Sequence, residues 1–101
     1  MSKSLTINKG VPLAPADVTP GEILLEEFMK PIGMTGNALA KKLNVDPMRM
    51  NQILRGKRAI TAETALLLAE MFGTSARFWL GLQTDHDLAI AAQKRTAAAA
   101  A

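Results

Sequence analysis

Thr35-Gly36-Asn37-Ala38-Leu39-Ala40-Lys41-Lys42-Leu43-Asn44-Val45-Asp46-Pro47-Met48-Arg49-Met50-Asn51-Gln52-Ile53-Leu54-Arg55-Gly56-Lys57-Arg58 reads as two short helices with almost nothing between them. Thr35 can cap the first, and Leu39, Ala40 and Leu43 form its apolar side. Asp46 can cap the second, Pro47 suits its first position, and Val45 and Met50 are spaced as a hydrophobic staple. That helix should run through Leu54 or Arg55 and stop at Gly56. Only Asn44 and Val45 precede the second cap, which leaves little room for an antiparallel hairpin. A steep crossing follows, the geometry of a helix-turn-helix.

Upstream, Thr19-Pro20-Gly21-Glu22 reads as a capping box, with Val18 and Ile23 able to close a staple. Ile23, Leu24, Phe28 and Ile32 then form a helical stripe that Gly33 ends, with Pro31 making the last turn irregular. Downstream, Thr61 starts a fourth helix with Ala65, Leu68, Ala69 and Phe72 on one face and Gly73 as its stop. Ser75 starts a fifth, carrying Phe78, Trp79 and Leu82, which either Asp85-His86-Asp87 interrupts or Leu88 to Gln93 continues. No strand-like alternation of convincing length is present. Residues 1–18, with Gly10, Pro12 and Pro15, read as a flexible N-terminal arm, residues 19–93 as one all-α domain of five helices, and residues 94–101 as a frayed or disordered tail.

With 101 residues, the chain is long enough for one small core. It is 49% hydrophobic, but 17 of its residues are alanine, five of them the run Ala97 to Ala101. There is no cysteine and one histidine, so no disulfide framework, thiolate metal site or cysteine nucleophile is expected, and no metal or cofactor. His86 between two aspartates reads as a solvated histidine. Glu26 and Glu27 diverge on a helix, and Gly56-Lys57-Arg58 is too short for a phosphate loop, so catalysis is disfavoured. No segment resembles a signal peptide or a bilayer span, and the expectation is a cytoplasmic protein with no membrane partner.

The formal charge of +3 is unevenly placed. Lys30, Lys41, Lys42, Arg49, Arg55, Lys57 and Arg58 face only Asp46 within residues 30–58, giving that segment +6 and the remainder −3. A local basic surface of this kind attracts a polyanion such as nucleic acid. On the third helix Pro47, Met48, Asn51, Gln52 and Arg55 should point outward, with Arg49 near the edge. Arg can pair with guanine and Asn or Gln with adenine in the major groove. The N-terminal half of such a helix usually points into the groove, favouring Arg49, Met48 and Gln52 as readers, with Met48 suited to a thymine methyl. The free N–H groups at Thr35, Gly36 and Asn37 suit a phosphate, and Gly36 has no side chain to keep one away. Lys41, Lys57 and Arg58 add point charges.

Residues 20–92 resemble the HigA-type antitoxins of bacterial toxin–antitoxin modules, a branch of the Xre/Cro-like helix-turn-helix regulators. The residues that carry the likeness are Pro20-Gly21-Glu22-Ile23-Leu24, Asn37-Ala38-Leu39-Ala40 and Gly56-Lys57-Arg58-Ala59-Ile60-Thr61. Thr64-Ala65-Leu66, Phe72-Gly73-Thr74-Ser75 and Phe78-Trp79-Leu80-Gly81-Leu82-Gln83 complete the set. The resemblance implies a compact five-helix, lambda-repressor-like domain and a homodimer on double-stranded operator DNA that represses its own operon. It also implies neutralisation of a HigB-type, RelE-like toxin that cuts mRNA. Arg49 matches the family's recognition-helix arginine, and Lys57 and Arg58 its basic loop. Phe78, Trp79 and Leu82, with Leu88 beyond them, fall where dimer contacts are expected. Leu25 and Leu67 stand where the family often has Arg, and Asn44 where it often has Gly. Two other readings stay open. One is an Xre-family regulator with no toxin partner. The other is a toxin-binding module with weak DNA binding, its contact an apolar patch at Leu25 and Leu67.

Overall fold

The computed structural model describes residues 16–100, and these are all-helical, with no strand among them. A continuous helical rod comes first: α1 (Pro20–Ile23), a π-helical stretch (Leu24–Met29) and a 3-10 turn (Lys30–Ile32). Then follow α2 (Gly36–Leu43), α3 (Pro47–Leu54), α4 (Ala62–Phe72) and α5 (Ala76–Ala100). Most of the N-terminal arm expected at residues 1–18 lies outside the described residues, as does Ala101.

Each helix starts on the residue that the sequence offers as a cap. The side-chain oxygens of Thr19, Thr35 and Ser75 accept from the N–H groups of Glu22, Ala38 and Phe78 at 3.1, 3.1 and 3.0 Å. Asp46 accepts from Met48 N–H, and Thr61 from Thr64 N–H, both at 3.4 Å. Four ends share one device. The residue after the last turn swings left-handed, and the next N–H bonds to a carbonyl five residues back: Met34 to Met29, Val45 to Ala40, Lys57 to Gln52 and Thr74 to Ala69, at 2.8–3.2 Å. The left-handed residue is glycine at three of these ends and Asn44, with φ of 57°, at the fourth. Asparagine tolerates that backbone better than other residues with a Cβ, so the turn between α2 and α3 survives without glycine.

The core comprises Leu24, Met29, Leu39, Ala40, Met50, Ile53, Leu54, Ile60, Ala65, Leu68 and Trp79. Trp79 is fully buried, flanked by Phe28 and Phe78 with centroids 4.9 Å away, and its indole Nε1 donates to Thr74 Oγ1 at 2.6 Å. That bond removes the cost of burying an indole N–H. Gly21 is buried against α3. A Cβ there would run into the carbonyl of Ile53, so the first helix reaches α3 only because position 21 has no side chain.

Three expectations differ from the structure. The helical stripe puts Ile32 in the core, but Ile32 is 59% exposed and Met29 is buried instead. Pro31 has no N–H to donate, and its ring crowds the carbonyl four residues back. The chain widens into the π turn, with Lys30 N–H bonding to Leu25 O, and this shifts the phase of every later side chain. Leu25 is half-buried and packed against the core, and Leu67 is half-buried too, so neither forms an exposed apolar patch. The leucines that stand out are Leu66 and Leu88, at 64% and 63% exposure. Finally, α5 passes through Asp85-His86-Asp87 unbroken and stays helical to Ala100, where composition suggests a frayed tail over residues 94–101. Alanine has the highest helix propensity, and extending a helix already nucleated costs little. No helix among the described residues is long and apolar enough to cross a membrane.

Candidate nucleic-acid interface

The start of α2, the outer side of α3 and residues 56–58 form one surface, since α2 and α3 pack on each other and the loop leaves the end of α3. Thr35, Asn37, Lys41, Pro47, Arg55, Lys57 and Arg58 are exposed on it, and Met48 is 67% exposed. Met50 and Ile53 lie inward as the periodicity requires. Among the described residues the only ion pair is Lys30–Glu26, at 2.8 Å, so the other six basic side chains of residues 30–58 are not neutralised by a salt bridge there. An unneutralised cationic surface of this size is an electrostatic footprint for a phosphate backbone.

The polar side chains of α3 are more engaged than the sequence suggests. Arg49 is half-buried, with its guanidinium turned to the hydroxyls of Thr61 and Thr64 at 3.5 Å each. Asn51 donates through Nδ2 to Asn37 Oδ1 at 3.1 Å and to Pro47 O at 2.9 Å, tying α3 to the start of α2. Gln52 Oε1 accepts from Arg58 Nε at 2.9 Å, which holds Arg58 beside α3. Gly36 also has a different role from the one its lack of a side chain suggests. A Cβ there would run into Asn51 Oδ1 and lie 3.0 Å from Leu54 Cδ1, so the space is taken by α3 and is not open for a phosphate. The N–H groups of the first turn of α2 remain the anion-seeking element at that end.

The four residues assigned to dimer contact divide. Trp79 is fully buried within the protomer, and Leu82 is half-buried against the core. Phe78 and Leu88 are open, at 39% and 63% exposure, on the outer flank of α5. Three residues have structural roles that the sequence reading does not assign them: Gly21, Thr64 and Gln83. Gly21 enters it as part of a capping box and of the family likeness, although a glycine in a first helical turn is itself a sign of close backbone approach. Thr64 is 2% exposed, one position before Ala65 on the inner face of α4. Gln83 stands four residues after Trp79, a polar residue at core spacing, and that spacing is the available signal.

A helix-turn-helix family model matches residues 25–79. The chain belongs to the helix-turn-helix family, in the Xre-like branch that includes the HigA antitoxins. It is 51% identical over 78 residues to virulence-associated protein I of Dichelobacter nodosus, covering 77% of this chain and 72% of that one. An addiction module antidote protein of the HigA family from Coxiella burnetii is 49% identical, with a TM-score of 0.71, covering 74% of this chain and 82% of that one. The Pseudomonas aeruginosa antitoxin HigA, solved with the higBA promoter, is 40% identical, with a TM-score of 0.75, covering 77% of this chain and 85% of that one.

Proposed function

We propose that this helix-turn-helix chain binds the operator of its own operon as a homodimer and holds in check a HigB-type, RelE-like mRNA-cleaving toxin. The observation that carries the DNA half is the single cationic surface formed by α2, α3 and the 56–58 loop, in a fold shared with a promoter-bound HigA. Two copies of α3 would enter successive major grooves of an inverted repeat, roughly 34 Å apart. Phosphates meet the backbone N–H groups of Thr35, Gly36 and Asn37 at the first turn of α2 and the side chains of Lys41, Lys57 and Arg58, while Pro47, Met48, Arg49, Asn51, Gln52 and Arg55 face the groove. Phe78, Leu82 and Leu88 make the dimer edge, with Trp79 bracing it from the core. The protein acts in the bacterial cytoplasm, on the nucleoid when bound to DNA. The toxin half rests on the likeness to HigA antitoxins.

Fluorescence anisotropy against the DNA upstream of its own gene and a scrambled control tests the first half. Arg49→Ala should lower specific affinity by about 1–3 kcal/mol while leaving binding to the scrambled control nearly unchanged. Equal affinity of the wild type for both DNAs would refute operator recognition. Co-expression with the neighbouring gene tests the second half. Growth arrest by that gene, relieved by this chain, is expected, and a neighbour without toxicity would leave a regulator with no toxin.

A further inference from the structure

Gln83 closes the Phe78–Gln83 motif, and nothing in the DNA-contact surface above uses it. Its side chain is half-buried and both ends of its amide are engaged. Oε1 accepts from the backbone N–H of Ile60 at 2.8 Å, and Nε2 donates to Asp87 Oδ1 at 2.9 Å. An ionised carboxylate only accepts, so Asp87 fixes which way the amide faces and keeps its oxygen toward Ile60. Ile60 is a core residue, 3% exposed, two positions after Arg58. At the other end, the Gly56 and Lys57 N–H groups bond to the carbonyls of Ile53 and Gln52 at 3.0 and 2.8 Å. The segment carrying Lys57 and Arg58 is thus clamped between α3 on one side and α5 on the other. Without Gln83, Ile60 N–H would be left buried and unpaired, which is costly enough to move the loop.

We propose that Gln83 is the positioning residue for the Lys57–Arg58 loop, with its amide oriented by Asp87, and that through it α5 sets the geometry of the phosphate-contacting surface. This rests on the DNA-binding reading. Phe78 and Leu88 lie on the opposite side of the same helix, so an event on that side reaches the loop through one rigid element.

The test compares Gln83→Leu, Gln83→Glu and the double variant Gln83→Glu with Asp87→Asn. In Gln83→Glu the donor to Asp87 is lost and two carboxylates four residues apart repel, which pushes the side chain away from Ile60. In the double variant, the amide introduced at position 87 can donate to the carboxylate introduced at position 83, whose second oxygen accepts from Ile60 N–H. Two quantities are read: hydrogen exchange at the Ile60 amide, and DNA affinity over a salt series. In Gln83→Leu the Ile60 amide should exchange about tenfold faster. Affinity should fall about fivefold, and the slope of log affinity against log salt should flatten by about one phosphate contact. Gln83→Glu should behave similarly, and the double variant should recover most of both losses. The affinity loss should also vanish in a Lys57→Ala, Arg58→Ala background, since the loop then has no charges to place. Wild-type affinity and slope in folded Gln83→Leu would overturn the proposal, as would a double variant no better than Gln83→Glu or a loss that persists without Lys57 and Arg58. A wild type without salt-dependent DNA binding would overturn the functional reading as well.

Discussion

Gly21→Ala should destabilise the protein by about 2 kcal/mol, while the same substitution at Gly81 should stabilise it. The two glycines differ in what a methyl group meets. At position 21 a Cβ would lie 2.6 Å from the carbonyl carbon of Ile53, closer still to its oxygen, and 3.0 Å from Leu54 Cα. Non-bonded carbons rest about 3.5–4.0 Å apart and the oxygen contact is tighter still, so α1 must retreat by roughly 1.5 Å. All three atoms are backbone of α3, so no rotamer change can relieve the contact. Overpacking of this kind costs about 1–3 kcal/mol, and the better helix propensity of alanine returns less than about 1. For a domain of this size, about 2 kcal/mol lowers Tm by roughly 8–16 °C. At Gly81 nothing lies within 4 Å of where a Cβ would stand, and the residue is exposed inside α5. There alanine gains about 0.5–1 kcal/mol by restricting the unfolded chain and supporting the helix. Thermal melts by circular dichroism at one protein concentration measure both. A Gly21→Ala protein as stable as wild type, or equal shifts for the two variants, would refute the reasoning.

Four further outcomes follow from the fold and the charged surface. Trp79 is the only tryptophan, so its emission should be blue-shifted in the native state and move red through a single unfolding transition. Trp79→Ala, at about 3–5 kcal/mol, should leave little cooperative unfolding to measure by calorimetry. Asn44→Ala should cost about 1–2 kcal/mol in a urea melt because φ there is 57°, whereas Asn44→Gly should be close to neutral. Lys57→Ala should weaken binding to operator and scrambled DNA alike and reduce the salt slope by about 1, read by anisotropy.

Much of the fold is legible in the sequence because helix ends are written in local chemistry. Thr19, Thr35, Asp46, Thr61 and Ser75 each cap the helix expected of them, and Gly33, Asn44, Gly56 and Gly73 each stop one. Periodicity is less reliable where the helix is not α-helical: one π turn ahead of Pro31 is enough to misplace Ile32. The cationic surface is legible as charge. The bonding state of its polar side chains is not, because Arg49 finds Thr64 fifteen residues away and Asn51 finds Asn37 fourteen away. Gln83 and Ile60, separated by 23 positions, belong to the same class of pairing, which only the tertiary arrangement brings about.

Arg49, Asn51 and Gln52 each spend the DNA-free state bonded to another part of the same chain. A base edge that recruits any of them competes with a partner already in place, and repays the loss only if its own donors and acceptors match. On the proposed DNA-binding reading, mismatched sequences would leave α3 in its self-bonded form, touching phosphates but no bases. The resting bonds of α3 thus act as a threshold: they lower the strongest attainable affinity, and base contacts add to binding only where they outweigh the bonds they replace.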